Sequence, residues 1–116
     1  MTEYKNEENV NDETLLLVKG STDDKIKNKE NIKKLANAIS QVYYKHGSAK
    51  LRCVGAAAIN NAVKAFIIAK NEAQKRGNKL LLDLDFTTVN FQGQEKTGIL
   101  LEVVSQNFPK IAEELI

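Results

Sequence analysis

A short strand pattern that runs into a cluster of small residues and then into a helix pattern constrains this chain most. Residues 49–54 form the strand pattern, Gly55 and three alanines follow, and a long helical pattern starts at once. Small side chains at such a turn let an outside group approach the backbone, and the first amides of a helix point outward without intrahelical partners. The turn therefore suits a phosphate group, and it suits tight packing of the helix on the strand equally well.

Hydrophobic periodicity divides most of the chain into six elements in the order β-α-β-α-β-β. Gly47 and Gly77 are placed to end the two helices, and Gln92-Gly93-Gln94 predicts a hairpin turn between the last two strands. A sheet of about four strands with two helices on one face is a two-layer α+β sandwich. The expected boundaries are 14–19, 49–54, 79–91 and 95–105 for the strands, and 31–46 and 58–76 for the helices.

Three further segments lie between or outside these elements. Residues 21–30 contain three lysines and three acids with little apolar periodicity, which is typical of a mobile loop or of a frayed helix start. Residues 1–13 are acidic and rich in asparagine, and they predict a disordered leader. Residues 106–116 predict a short helical tail with Ile111, Leu115 and Ile116 on one side. The folded domain is therefore expected to span 14–105.

The second helix has an apolar stripe that is expected to face the core: Ile59, Ala62, Val63, Phe66, Ala69 and Ala73. Ile68 lies about 180° away from Ile59 at 100° per residue, and Ala65 is expected on that far side with it. This small apolar spot is consistent with a subunit contact and also with the scattered exposure of single apolar residues.

Alternation in the third strand predicts a core-facing set: Leu80, Leu82, Leu84 and Phe86. Val89 and Phe91 then follow the other parity, which predicts a β-bulge near Thr87 and Thr88. Three apolar residues fall on the sheet face that no helix is available to cover: Leu81, Leu100 and Val104. Apolar residues on such a face favour a dimer.

Charge is distributed unevenly, although the net value is only +2. Residues 14–76 contain thirteen basic and four acidic residues, whereas 1–13 and 77–116 are both net acidic. A basic body with an acidic leader indicates a polyanionic partner, with the leader competing for the same surface, or else a solvated lysine-rich face. No apolar run approaches the roughly 18 residues that span a membrane, and the leader lacks the apolar stretch of a secretion signal.

The residue types that carry catalysis are not arranged in any motif for nucleotide, zinc or redox chemistry. Cys53 lies on the expected core face of the second strand, opposite to Lys50 and Arg52, and a buried, unreactive thiol is expected there. Asp83 and Asp85 share a strand face, where they would hold a cation, act as an acid and base, or be simply exposed. We therefore expect no enzyme, no cofactor and no metal.

Two blocks of residues carry a family resemblance. The first contains Val54-Gly55-Ala56, Ala58, Asn60, Ala62-Val63-Lys64-Ala65 and Ile68-Ala69-Lys70, and the second contains Gly93 and Glu95-Lys96-Thr97. With them, the stretch 51–104 resembles the stage V sporulation protein S family, within the Alba-like superfamily of small chromatin and RNA-binding proteins. The resemblance implies the same β-α-β-α-β-β order, with a mixed four-stranded sheet and, usually, a dimer.

The resemblance also implies a binding surface. Alba-like proteins contact nucleic acid through basic residues after the first strand, through the turn into the second helix and through the hairpin of the last two strands. By position this implies seven residues: Lys19, Gly55, Ala56, Asn60, Asn61, Lys64 and Lys96. The turn has glycine and alanine where archaeal Alba proteins have arginine, and Ala57 stands where the sporulation family more usually has glycine. Segment 21–30 is an insertion whose lysines would add contacts.

The resulting hypothesis is a small dimeric protein that binds DNA or RNA largely through the backbone, with a regulatory or packaging role. Lys19, Lys64 and Lys96 would neutralise phosphates, while the turn amides, Asn60 and Asn61 would contact phosphate or sugar. The alternative is a protein-interaction adaptor that uses exposed apolar surface, in which the lysines serve only solubility. In both cases we expect no membrane or small-molecule partner, and a location in the cytoplasm or, in a eukaryote, the nucleus.

Overall fold

The computed structural model describes residues 12–20 and 24–106 of the chain. In that part the elements follow the order β-α-β-α-β-β, which confirms the order predicted from periodicity. The elements are β1 (Leu15–Val18), α1 (Lys25–His46), β2 (Ala49–Cys53), α2 (Ala56–Lys75), β3 (Leu80–Phe91) and β4 (Gln94–Ser105).

The four strands form one mixed sheet in the order β1-β2-β4-β3. β1 and β2 are parallel and are connected through α1, whereas β4 is antiparallel to both of its neighbours. Both helices lie on one face of the sheet, because their buried residues join a single core with alternate residues of the strands, including Leu51, Leu101 and Val103. This arrangement confirms the two-layer sandwich and matches the Alba-like fold.

The helix α1 begins six residues earlier than its apolar pattern indicates, so most of segment 21–30 is helical rather than a loop. Asp24 is its N-cap, and the Asp24 carboxylate accepts hydrogen bonds from the N–H groups of Ile26 and Lys27, at 3.0 and 3.1 Å. These bonds satisfy two of the amides that a helix start leaves without partners. At the other end, Gly47 caps α1 as predicted, with φ of 85° and its N–H donated to the Tyr43 carbonyl.

The buried face of α2 differs from the predicted one. Ala65 is fully buried and Val63 is 37% exposed, so the prediction that placed Ala65 outside and Val63 inside was wrong. The core-facing stripe consists mainly of small residues: Ala58, Ala62, Ala65, Ala69 and Ala73. Small side chains allow close packing of a helix, and the bulkier Ile67 and Ile68 remain 48% and 39% exposed beside this stripe.

The strand β3 pairs with β4 over its whole length, from Leu80 opposite Ser105 to Phe91 opposite Gln94. The pairing advances by one residue on each strand throughout, so the predicted bulge near Thr87 and Thr88 was wrong. The hairpin turn was predicted correctly, because the two strands are joined at Gln92 and Gly93. The apolar parity therefore changes along a regularly paired strand, and Val89 on the other parity is fully buried.

The strand β3 lies at one edge of the sheet, and the exposure of its helix-facing residues varies along its length. Leu80 is only 1% exposed, whereas Leu84 and Phe86, on the same face of the strand, are 62% and 76% exposed. The helices thus cover the start of β3 and leave its middle open, which corrects the expectation that all four alternating residues are core residues. Two large, exposed apolar side chains on an edge strand are unusual in a monomeric protein.

The sheet face opposite to the helices also has a partly apolar character. Leu81 is 41% exposed there, and Leu100 and Val104 on the same face are half-buried. Arg52 lies on this face as well, between Leu17 of β1 and Leu100 of β4 in the strand register, but it is only 2% exposed. The arginine is therefore buried rather than solvated.

Most of the predicted leader and nearly all of the predicted tail, residues 1–11 and 107–116, lie outside the described residues. Within the described ranges, neither helix combines the length and the apolar character that crossing a membrane requires.

Candidate nucleic-acid interface

Three segments that were predicted to contact nucleic acid lie at one end of the sheet. Since β1 and β2 are parallel, Lys19 and Gly55 follow strands that finish on the same side. β4 runs antiparallel to β2, and Cys53 opposite Ile99 is their last pair at this end. The hairpin of β3 and β4 therefore extends past β2 on that same side. We name it the turn end of the sheet.

Lys96 and Lys64 lie at different depths from this end. Lys96 is three residues beyond Ile99 on β4, which places it roughly 10 Å past the end of β2 at 3.3 Å per residue. Lys64 lies eight residues after Ala56, about 12 Å along α2 from its start. Both lysines are exposed, as is Lys19.

The turn into α2 leaves its backbone accessible. Gly55 is the N-cap, with φ of 92° and ψ of 156°, a conformation that is essentially restricted to glycine. No side chain among residues 12–20 and 24–106 caps this helix start, and its first turn contains no acidic residue, so none of these residues neutralises the positive end of the helix dipole there. Gly55, Ala56 and Ala57 are exposed, whereas Ala58 is buried in the core. Ala58 therefore packs the helix on the strand, whereas Gly55, Ala56 and Ala57 leave the backbone at the helix start accessible.

Gly98 allows the hairpin to pass close to the end of β2. A Cβ atom at this position would lie 2.5 Å from the Cys53 carbonyl oxygen and 3.2 Å from Cγ2 of Val54. A side chain there would force the two strands apart, because packed interiors have no room for such an overlap. Gly98 therefore fixes the distance between the hairpin and the turn. It was not singled out from the sequence, although an isolated glycine within an apolar strand pattern is a signal of close backbone approach.

The first turns of α1 bring two more lysines to the same region. Lys25 and Lys29 lie one turn apart on α1 and, with Lys64 of α2, line a groove of about 670 Å³ between the two helices. Both belong to segment 21–30, whose lysines were expected to add contacts. Within the described residues, no ion pair involves any of these three lysines.

Asn60 and Asn61 were predicted together as donors to nucleic acid, but they differ in their surroundings. Asn60 is exposed, whereas Asn61 is only 4% exposed. The Asn61 amide nitrogen donates to the Lys19 carbonyl oxygen at 3.4 Å and to Oδ1 of Asn28 at 3.2 Å. Asn61 therefore connects α2 to the end of β1 and to α1, and its amide is engaged within the protein.

The residues considered for catalysis are not assembled into a site. Asp83 and Asp85 are exposed on the sheet face away from the helices, next to each other only as alternate residues of β3. Cys53 is fully buried, and this burial raises the pKa of its thiol to about 12, so it stays protonated at neutral pH. Among the described residues, no group of three or more His, Cys, Asp or Glu side chains is placed to hold a metal ion.

One family model matches this chain, and it is described as stage V sporulation protein S. The match covers residues 24–106, more than two thirds of the sequence, and starts at the N-cap of α1. It includes both helices, the turn at Gly55, Lys64 and the whole hairpin with Lys96. β1 and Lys19 precede the matched region.

Proposed function

Because the chain belongs to the stage V sporulation protein S family, we propose that it is a small nucleic-acid-binding protein that contacts DNA or RNA mainly through the phosphate backbone. A regulatory or packaging role suits such binding, since contacts to phosphates carry little sequence information. The observation that supports the proposal is that Lys19, the turn at Gly55 and the hairpin with Lys96 lie at one end of the sheet, with Lys64 about 12 Å along α2 from that turn.

Each part of the turn end has a distinct task in this proposal. The three lysines neutralise phosphates along the backbone, and the exposed amides after Gly55 orient one phosphate at the positive end of α2. Asn60 is exposed and donates to phosphate or sugar. Asn61 acts indirectly, because its hydrogen bonds to the Lys19 carbonyl and to Asn28 keep the end of β1 beside the turn.

A salt titration tests the proposal. Fluorescence anisotropy with labelled duplex DNA, single-stranded DNA and RNA gives the binding constant at each ionic strength. If about four phosphates are neutralised, log K falls with a slope of roughly −3.6 against log salt on duplex DNA. Affinity that does not change across the titration, or no binding at low salt, would contradict the proposal.

We also propose that the functional unit is a homodimer. The support comes from apolar side chains that the described part of the single chain leaves open, above all Leu84 and Phe86 on the edge strand. A second copy that covers them would remove an exposed apolar edge. Sedimentation velocity should give the mass of a dimer for the wild type and of a monomer for Phe86→Glu. Ile26→Glu changes a residue that is 73% exposed on α1 and should stay dimeric.

A further inference from the structure

The groove between α1 and α2 has two chemically different halves. Its basic residues are Lys25 and Lys29 of α1 and Lys64 of α2. Its apolar residues are Ile32 of α1, which is buried, and Ile67 and Ile68 of α2, which are about half and two-fifths exposed. Exposed isoleucines at the bottom of a lysine-lined groove have no evident use in binding phosphates alone.

The two halves are arranged in order along the groove. Both helices start at the turn end, because each follows the end of a strand that finishes there. On each helix the lysines precede the isoleucines, so the basic half is nearer to the turn end and the apolar half lies further along. The groove therefore presents cations next to the proposed phosphate-binding turn and an apolar surface behind them.

We infer that this groove holds one or two unpaired nucleotides of a single-stranded segment, an inference that rests on the proposed function. Phosphates contact the lysines of the basic half, and the faces of the bases lie on Ile67 and Ile68. The chain consequently binds single-stranded nucleic acid more tightly than duplex of equal charge. Lys64 belongs to both the turn end and the groove, so one strand continues from one to the other.

The chemistry of the two nucleic-acid forms favours the single strand. In a duplex the base faces are stacked on one another, and a protein meets mainly phosphates and base edges. In a single strand the base faces are open to water, and covering one of them is worth about 1–3 kcal/mol on an aromatic surface. The groove volume of about 670 Å³ falls within the range of small-ligand sites, roughly 300–1,000 Å³, which is enough for one or two bases.

The decisive variant removes the apolar half and keeps every charge. Ile67→Ser with Ile68→Ser should weaken binding to labelled oligo-dT by about fivefold to tenfold, the lower part of the range for lost base contacts. Binding to a blunt duplex should stay within about a factor of two, because a duplex offers no open base faces to Ile67 and Ile68 and the lysines are unchanged. Ile26→Ser is the matched control, since Ile26 is more exposed than either residue and does not line the groove.

A second variant tests the basic half of the groove. It keeps the inference testable even if the protein with both serine substitutions does not fold. Lys29→Glu should weaken oligo-dT binding more than Lys33→Glu, because Lys33 is exposed on the same helix without lining the groove. Equal effects of the two substitutions, unchanged oligo-dT binding by the folded serine variant, or equal losses on oligo-dT and duplex would each overturn the inference. A wild-type protein that binds neither nucleic acid would instead refute the proposed function itself.

Discussion

The two ends of the molecule use positive charge in different ways. At the end away from the turn, Lys50 lies 3.5 Å from the Asp12 carboxylate and His46 lies 3.8 Å from that of Glu13. At the turn end, Lys25, Lys29 and Lys64 surround an open groove, and none of them forms an ion pair within the described ranges. At the far end two carboxylates before β1 thus lie against β2 and α1, whereas the three groove lysines are exposed without an ion pair to another described residue.

Contacts join the helices at both ends, because Asn61 of α2 also bonds to Asn28 of α1 near the turn end. At the far end, Arg76 stacks over the ring of Tyr44 with 5.0 Å to the centroid, and the Asn78 amide donates to the Tyr44 hydroxyl. These contacts join the last turn of α1 to the end of α2. At the turn end, by contrast, the start of α2 has no side-chain cap. The far end therefore offers paired and stacked side chains, whereas the turn end also offers an open helix start, where we expect the ligand to bind.

Among the substitutions that test the difference between the two ends, reversing the charges at the turn end should have the largest effect on affinity. The triple variant Lys19→Glu, Lys64→Glu and Lys96→Glu replaces attraction to phosphates by repulsion, and affinity for nucleic acid at low salt should fall by at least about 100-fold. Anisotropy with duplex and oligo-dT measures the loss, and circular dichroism confirms that the variant is folded.

The matched control reverses the same number of charges at the far end: Lys45→Glu, Lys75→Glu and Lys79→Glu. The change in net charge is identical, so general repulsion between protein and nucleic acid changes equally. The control should lose much less affinity than the turn-end variant. Equal losses would show that net charge, and not its position, governs binding.

The second largest effect is expected on stability, where the hairpin of β3 and β4 passes close to the end of β2. Gly98→Ala puts a methyl group against the Cys53 carbonyl oxygen, and the strands must separate to admit it. We expect the free energy of unfolding to fall by about 1–3 kcal/mol, the usual range for overpacking. Urea denaturation measures it. Gly20→Ala is the control, because a Cβ there meets only the Ala57 methyl at an ordinary 3.5 Å. A neutral Gly98→Ala would mean that the hairpin moves freely against β2.

The fold was largely predictable because its signals are local. The helical stripe of α1, its stop at Gly47, the alternation of the strands and the hairpin turn all follow from residue spacing. The errors occurred where spacing is ambiguous. Alanine fits both the inside and the outside of a helix, so Ala65 was misplaced. Asp24 starts α1 through its side chain before any apolar periodicity begins, so spacing alone did not decide between a loop and a frayed helix start in segment 21–30.

Errors in β3 have a different origin, because exposure of an edge strand depends on which other elements cover it. Leu84 and Phe86 have the spacing of core residues, yet the helices do not reach them. The turn at Gly55 was identified from the local sequence, whereas its grouping with Lys19 and Lys96 came only from the family resemblance, since it requires the parallel pairing of β1 and β2. Gly98 and the division between Asn60 and Asn61 require three-dimensional contacts that the sequence does not contain.

The difference between Asn60 and Asn61 gives a further test, in which the expected effect is smaller. Asn61→Ala removes buried hydrogen bonds to Lys19 and Asn28 and should lower the free energy of unfolding by about 1–2 kcal/mol. Asn60→Ala, one residue earlier but exposed, should change it by less than about 0.5 kcal/mol and reduce nucleic-acid affinity instead. Urea denaturation and anisotropy separate the two. If both substitutions have the same effect on stability, Asn61 is not a link between the elements.

The smallest expected effect concerns the far end of the sheet, where the free energy of unfolding should depend on pH. Hydrogen bonds from the Thr14 hydroxyl and amide, aided by Lys50, hold the pKa of Asp12 below its ordinary value. Asp12 therefore stabilises the fold when it is ionised, above the ordinary pKa of about 3.9, and this contribution is lost as the pH falls through the lowered pKa.

Asp12→Asn keeps the shape and removes the charge, so it should lower the free energy of unfolding by about 1 kcal/mol at pH 7. The difference from the wild type should begin to shrink as the pH falls below the ordinary pKa of about 3.9, and it should vanish below the lowered pKa of the folded state. Urea denaturation at several pH values measures both, with Asp83→Asn as an exposed control that should have little effect at neutral pH. A difference that stays constant down to pH 3 would show that Asp12 acts through packing, and the far end would then owe less to paired charge than the comparison requires.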